Sequence, residues 1–217
     1  MSTLAISFLL ISITSLVLFY FASGNDRRLL VPIGIWVTAL SILSYSGFFQ
    51  KTEAFPPRVM VLFALITAAV VYLYKTVQTE RVNAIWLHSI HILRIPVELV
   101  LYQLFLQGEI PQSMTFAGWN YDIAVGITAL PIIGYWLLAG PPTDRFLRLW
   151  NAFGIIMLGI IVTTAVLSAP TPLQQLAFEQ PNVAILRFPY TLLPGIVVVL
   201  VFVSHILALK YLRQKMA

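Results

Sequence analysis

Four ionisable side chains lie inside one apolar stretch of this chain: His88, His91, Arg94 and Glu98, within NAIWLHSIHILRIPVELVLYQLFLQ at residues 83–107. A guanidinium and a carboxylate four residues apart can pair, hold an anion or handle a proton. Two imidazoles one turn apart can titrate near neutral pH or ligate a metal. A charge at bilayer depth costs at least about 2.5–3.5 kcal/mol, so such groups persist only where they face protein or water. At about 100° per residue, His88, His91, Arg94, Glu98 and Tyr102 fall within about 120° of one another, on one face of one helix. Pro96 lies off that face and removes the N–H that the carbonyl of Ile92 would receive, which predicts a kink close to midspan.

Arg94 and Glu98 are each other's expected partners, because no other apolar stretch carries a charge at that depth. Asp122 opens the next apolar stretch, where an acid in the first helical turn meets the helix dipole; its rival role is at the mouth of a cavity. The candidate ligand-binding residues are therefore Arg94, Glu98, His91, Tyr102 and Asp122. His88 and His91 stand at a depth matched by His205 and Asn151, roughly 7–12 Å below one boundary at 1.5 Å per residue. His88, His91 and His205 are the candidate metal ligands, and a metal or haem is the cofactor they would suit. No HExxH-type pattern accompanies them, and hydrogen-bonded histidines are the alternative reading. The chain has no cysteine, which excludes disulfides, thiolate catalysis and thiolate ligation.

The elements that must position these groups are membrane-length helices. Residues are 59% hydrophobic and only 10% charged, against roughly 25% charged in soluble domains, and the mean hydropathy is +0.90. A spanning helix needs about 20 mostly apolar residues. Seven stretches qualify: 3–23, 29–49, 57–75, 83–107, 119–139, 146–168 and 188–210. Little sequence remains outside them, so the expectation is an all-α integral membrane protein, a seven-transmembrane-helix bundle forming one domain over residues 1–217. The longer connections are 108–118 and 169–187, and Pro172 to Gln180 is expected to form a short helix. Trp119, Tyr121, Trp136, Trp150 and Tyr211 are expected at the membrane interfaces, and Gly154 and Gly159 at close helix contacts.

Basic residues orient the bundle. Arg27, Arg28, Lys75, Arg81, Arg145, Arg148, Lys210, Arg213 and Lys215 fall on one side, and Lys51, Arg58 and Arg187 on the other. Short loops rich in Lys and Arg stay cytoplasmic, so the amino terminus is expected outside and the carboxyl terminus in the cytoplasm. A bacterial inner (plasma) membrane is the expected location. The first apolar run has no basic residues ahead of it and positive charges after it, which reads as an uncleaved span. The basic residues are spread over every loop of one side, so nucleic acid is not an expected partner.

These observations carry three functional expectations. The leading one is a polar intramembrane cavity along the fourth helix that binds or transports a small or amphiphilic ligand, with the lipid bilayer as surroundings. The second is a membrane-embedded enzyme built on the histidines with a metal, or on Glu98 and Arg94 as an acid–base pair. The third is an accessory or scaffold subunit of a membrane complex. A retinal Schiff base would need a lysine deep in the last span, and Lys210 stands at its end.

Overall fold

Seven helices are long and apolar enough to cross a membrane in the computed structural model, which describes residues 2–54 and 56–215. They are α1 (Thr3–Ala22), α2 (Arg27–Tyr45), α3 (Val59–Thr76), α4 (Ala84–Leu106), α5 (Asp122–Ala139), α6 (Asp144–Ser168) and α7 (Leu193–Gln214). No strand occurs among the described residues. The seven expected stretches each hold one of these helices, with ends shifted by local chemistry. α2 stops at Tyr45 because Gly47 takes a left-handed conformation, and α6 starts at Asp144 because the Thr143 side chain accepts the N–H of Phe146. Asn83 caps α4 in the same way, accepting from Ile85 and Trp86.

α4 and α7 form the centre. Of their apolar windows, 61% and 67% of residues are buried, against 17% for α2 and α3. α1 packs on both central helices, α5 packs on α4 and α6 packs on α7, with α3 on the other side of α7. α2 is the outlier; Leu40 inserts against Gly195, where a β-carbon would collide with the leucine side chain. Both central helices depart from α-helical geometry beside a proline. α7 opens with a π-helical turn at Leu193–Val197 that contains Pro194.

In α4 the departure is a 3₁₀ turn at Ile90–Leu93, just ahead of Pro96. The N–H of Arg94 donates to the carbonyl of His91, a tight three-residue bond in place of the usual four-residue one. Proline lacks the N–H that the Ile92 carbonyl would accept, so the turn before it tightens where a kink was expected. The change matters for position. Side chains three apart eclipse on a 3₁₀ helix, so His88, His91 and Arg94 line up more closely than a regular helix would place them.

The segment 169–187 forms no helix between Pro172 and Gln180, contrary to expectation. Its backbone closes locally instead. Gln175 and Leu176 donate to the carbonyl of Leu167, Ala177 adopts a left-handed φ of 55°, and Gln180 donates to the carbonyls of Phe105 and Ile110. Side-chain and carbonyl partners across the connection thus replace the helical ladder.

Candidate functional site

Arg94 is the hub of a buried network joining four helices. Its Nη1 donates to Oδ1 of Asp122 at the start of α5, and its Nη2 donates to Nε2 of His205 on α7 at 2.8 Å. The His205 Nδ1 meets Oδ1 of Asn151 on α6 at 2.8 Å, and the Asn151 amide nitrogen meets Nε2 of His88 on α4 at 3.0 Å. His88 Nδ1 ends the series on the backbone of its own helix, 2.7 Å from the carbonyl of Ala84. A guanidinium only donates, so each role is assigned in turn. His205 accepts at Nε2 and carries its proton on Nδ1, which donates to Asn151. The amide then donates to His88 Nε2, whose proton sits on Nδ1. The same amide nitrogen donates to the carbonyl of Leu147, which fixes its orientation.

The expected Arg94–Glu98 pair is not the one formed. Arg94 takes Asp122, and Glu98 Oε1 accepts from the amide of Asn120 at 2.6 Å. The cause lies in the facing backbone. Gly126 sits one turn after Asp122, and a β-carbon there would come within 3.1 Å of the Arg94 β-carbon. Without one, α5 lies close against α4 at Arg94, and Asp122 stands on that same face. Asp122 is therefore an ion-pair partner at 6% exposure, and more than the helix cap expected of it. Asn120 completes the second cluster, since its amide nitrogen also donates to the carbonyl of Met114 and its oxygen accepts the N–H of Asp122.

The three histidines do not converge as a shared metal site. His91 stacks on His205 with ring centroids 3.8 Å apart and planes 20° from parallel. Ring lone pairs lie in the ring planes, so two stacked imidazoles aim theirs side by side and not at one point. The nitrogens of His88 and His205 are already hydrogen-bonded. Among the described residues no group of three His, Cys, Asp or Glu could hold a metal ion. The expected metal reading of His88, His91 and His205 gives way to hydrogen bonding and stacking. Tyr102 also stands apart, stacked on Phe116 at 4.9 Å.

Tryptophan encloses the imidazoles. Trp150 is buried, packs against His88, His91 and His205 at 5.2–5.7 Å, and donates from its indole nitrogen to Thr128. It is a wall of the network and not the interfacial anchor expected. Gly154, one turn further along α6, makes room for His205; a β-carbon there would collide with the ring. Four polar atoms of the α4 stripe stay buried without a partner: both ring nitrogens of His91, Nε of Arg94 and Oε2 of Glu98. They are the hydrogen-bonding capacity that a bound molecule could use, because a buried unsatisfied group costs about 1–3 kcal/mol.

Two outcomes follow for stability in detergent. Arg94→Ala and Asp122→Ala should each lower it by about 3–5 kcal/mol, since each strands a buried charge, and the double variant should recover part of the loss. Glu98→Gln, which keeps the acceptor for Asn120, should change thermal unfolding far less; equal losses at all three positions would show that Glu98 shares the pair. Gly154→Ala should destabilise by about 1–3 kcal/mol through overpacking against His205. Adding His205→Ala should relieve that overpacking, so the double variant should lose less than the two single losses combined.

Asn120 and Gly126 are the functional residues outside the expected set. The clues are a polar residue two positions before Asp122, and a glycine one turn after that same acid. A family profile described as Domain of unknown function (DUF8737) matches residues 58–213, from just before α3 to the last turn of α7, and that range holds every residue of the network. No curated protein and no solved structure matches the chain. With more than two thirds of its length matched, the chain belongs to the family described as Domain of unknown function (DUF8737).

Proposed function

We propose that this protein sits in a bacterial-type inner membrane and binds or transports an amphiphilic ligand beside α4. The carrying observation is an apolar cavity of about 120 Å³ whose lining includes two neighbours of the polar cluster, Leu101 and Met114. It lies between α3, α6 and α7. Leu101 is one turn beyond Glu98 on α4. The carbonyl of Met114 is held by the same Asn120 amide that donates to Glu98. A hydrocarbon segment in the cavity would thus bring its polar head to the unpartnered Oε2 of Glu98. Met114 is the movable part of that lining, since an unbranched thioether side chain changes rotamer readily. Entry is sideways from the bilayer, because Val162 and Leu173 at the rim reach the surface.

The surroundings follow from composition. Nine basic residues against three support an amino terminus outside and a carboxyl terminus in the cytoplasm. The two ends of the bundle are coherent in that scheme: Asp144 pairs with Lys215 at the basic end, and Glu109 pairs with Arg187 at the other. Reporter fusions after Arg28, Lys75 and Arg145 should read as cytoplasmic, and fusions within 108–118 or 169–187 as external. One reversed neighbour would remove the orientation.

Ligand binding is tested on the purified protein by mass spectrometry of what it retains. Val162→Trp plugs the cavity from its rim, and Glu98→Gln alters the head-group partner while keeping the Asn120 bond. Each should reduce the retained amphiphile by about tenfold, the factor that about 1.4 kcal/mol represents. Retention unchanged in both variants, or no co-purifying amphiphile, would sink the proposal.

A further inference from the structure

A second groove lies at the basic end between α3 and α7, with a volume of about 560 Å³. Its floor is hydrocarbon, with Val70 from α3 and Ile206 from α7 among the lining residues. Its rim is cationic: Lys75 in the last turn of α3, and Lys210 and Arg213 in the last turns of α7. Tyr74 and Lys210 tie the two helices together there, the ammonium standing 5.0 Å from the ring centroid.

Cations in a last turn meet the helix dipole, which explains each residue singly. It does not explain three of them on one groove without an anion. The ion pairs among the described residues are Arg28–Asp26, Arg94–Asp122, Arg187–Glu109 and Lys215–Asp144, and none involves Lys75, Lys210 or Arg213. A ligand suited to this groove carries negative charge, and an apolar portion long enough to lie on Val70 and Ile206. Free phosphate meets only the first requirement. Basic pockets between membrane helices on the cytoplasmic side suit anionic lipid head groups.

We propose that the α3–α7 groove binds one anionic phospholipid, its phosphate among Lys75, Lys210 and Arg213 and an acyl chain against Val70 and Ile206. Tyr74 holds Lys210 toward the head group by its cation–π contact. The inference rests on the chain crossing a bilayer; it does not depend on the ligand proposed beside α4.

The full chain is reconstituted into nanodiscs of phosphatidylcholine, with and without phosphatidylglycerol, and lipid occupancy is read by native mass spectrometry after release. Each Lys or Arg beside an anionic head group contributes about a fivefold factor in affinity. The variant with Lys75, Lys210 and Arg213 all changed to Gln should therefore lose phosphatidylglycerol by about a hundredfold, with phosphatidylcholine unaffected. A control carrying Arg27→Gln, Arg81→Gln and Arg145→Gln, at the same end but outside the groove, should keep its preference. Equal loss in the control would reduce the effect to overall surface charge and overturn the site. Equal retention of both lipids by the wild type would overturn it too, as would displacement of the lipid by inorganic phosphate alone. Failure to insert into either nanodisc would instead overturn the membrane reading on which it rests.

Discussion

A buried guanidinium dictates where four helices stand. Arg94 is always charged and has only donors, so its burial at 3% exposure requires acceptors from outside its own helix. Asp122 of α5 and His205 of α7 supply them. His205 in turn needs Asn151 of α6, and Asn151 closes the circuit on His88 of α4. Two glycines make the approach possible, Gly126 for α5 and Gly154 for the ring from α7. Loss of the charge or of either close approach would leave buried polar groups without their partners. The arrangement also explains why α4 and α7 are the most buried helices although α4 carries the most ionisable residues. Burial here follows from paired polarity as much as from hydrophobicity.

Much of this was legible in the sequence. Long apolar runs separated by short polar turns mark out seven membrane-length helices. The cost of placing charge inside a long apolar stretch singles out His88, His91, Arg94 and Glu98 as the centre. The pairing among them was not legible. Sequence spacing favours the i and i+4 partner on the same helix, but the closest facing backbone decides, and that is a property of Gly126 on another helix. Trp150 was misread for a related reason: aromatic residues near helix ends are usually interfacial, and only the tertiary arrangement shows one walled in by three imidazoles. The unformed helix at 172–180 failed on local grounds, since backbone partners at Leu167, Phe105 and Ile110 outcompete a short helix flanked by prolines.

The family match and the packing divide the chain differently. The matched range begins near α3, yet α1 packs on both central helices and buries Phe8 and Phe19. α2 meanwhile rests mostly on the periphery. The wall behind α4 and α7 is therefore supplied by a helix outside the matched range, whereas every polar atom of the network comes from within it.

The chain of hydrogen bonds leaving Arg94 runs one way only. Suppose His88 gained a proton on Nε2. Asn151 would have to turn its oxygen toward that ring and its nitrogen toward His205. His205 would then have to accept at Nδ1 and move its own proton to Nε2, directly against the guanidinium donors. Arg94 forbids that reversal, and the amide of Asn151 neither takes up nor releases a proton. Proton relay between the two imidazoles is therefore blocked although a single side chain joins them. The series behaves as an oriented stack of fixed dipoles, set at one end by a permanent charge.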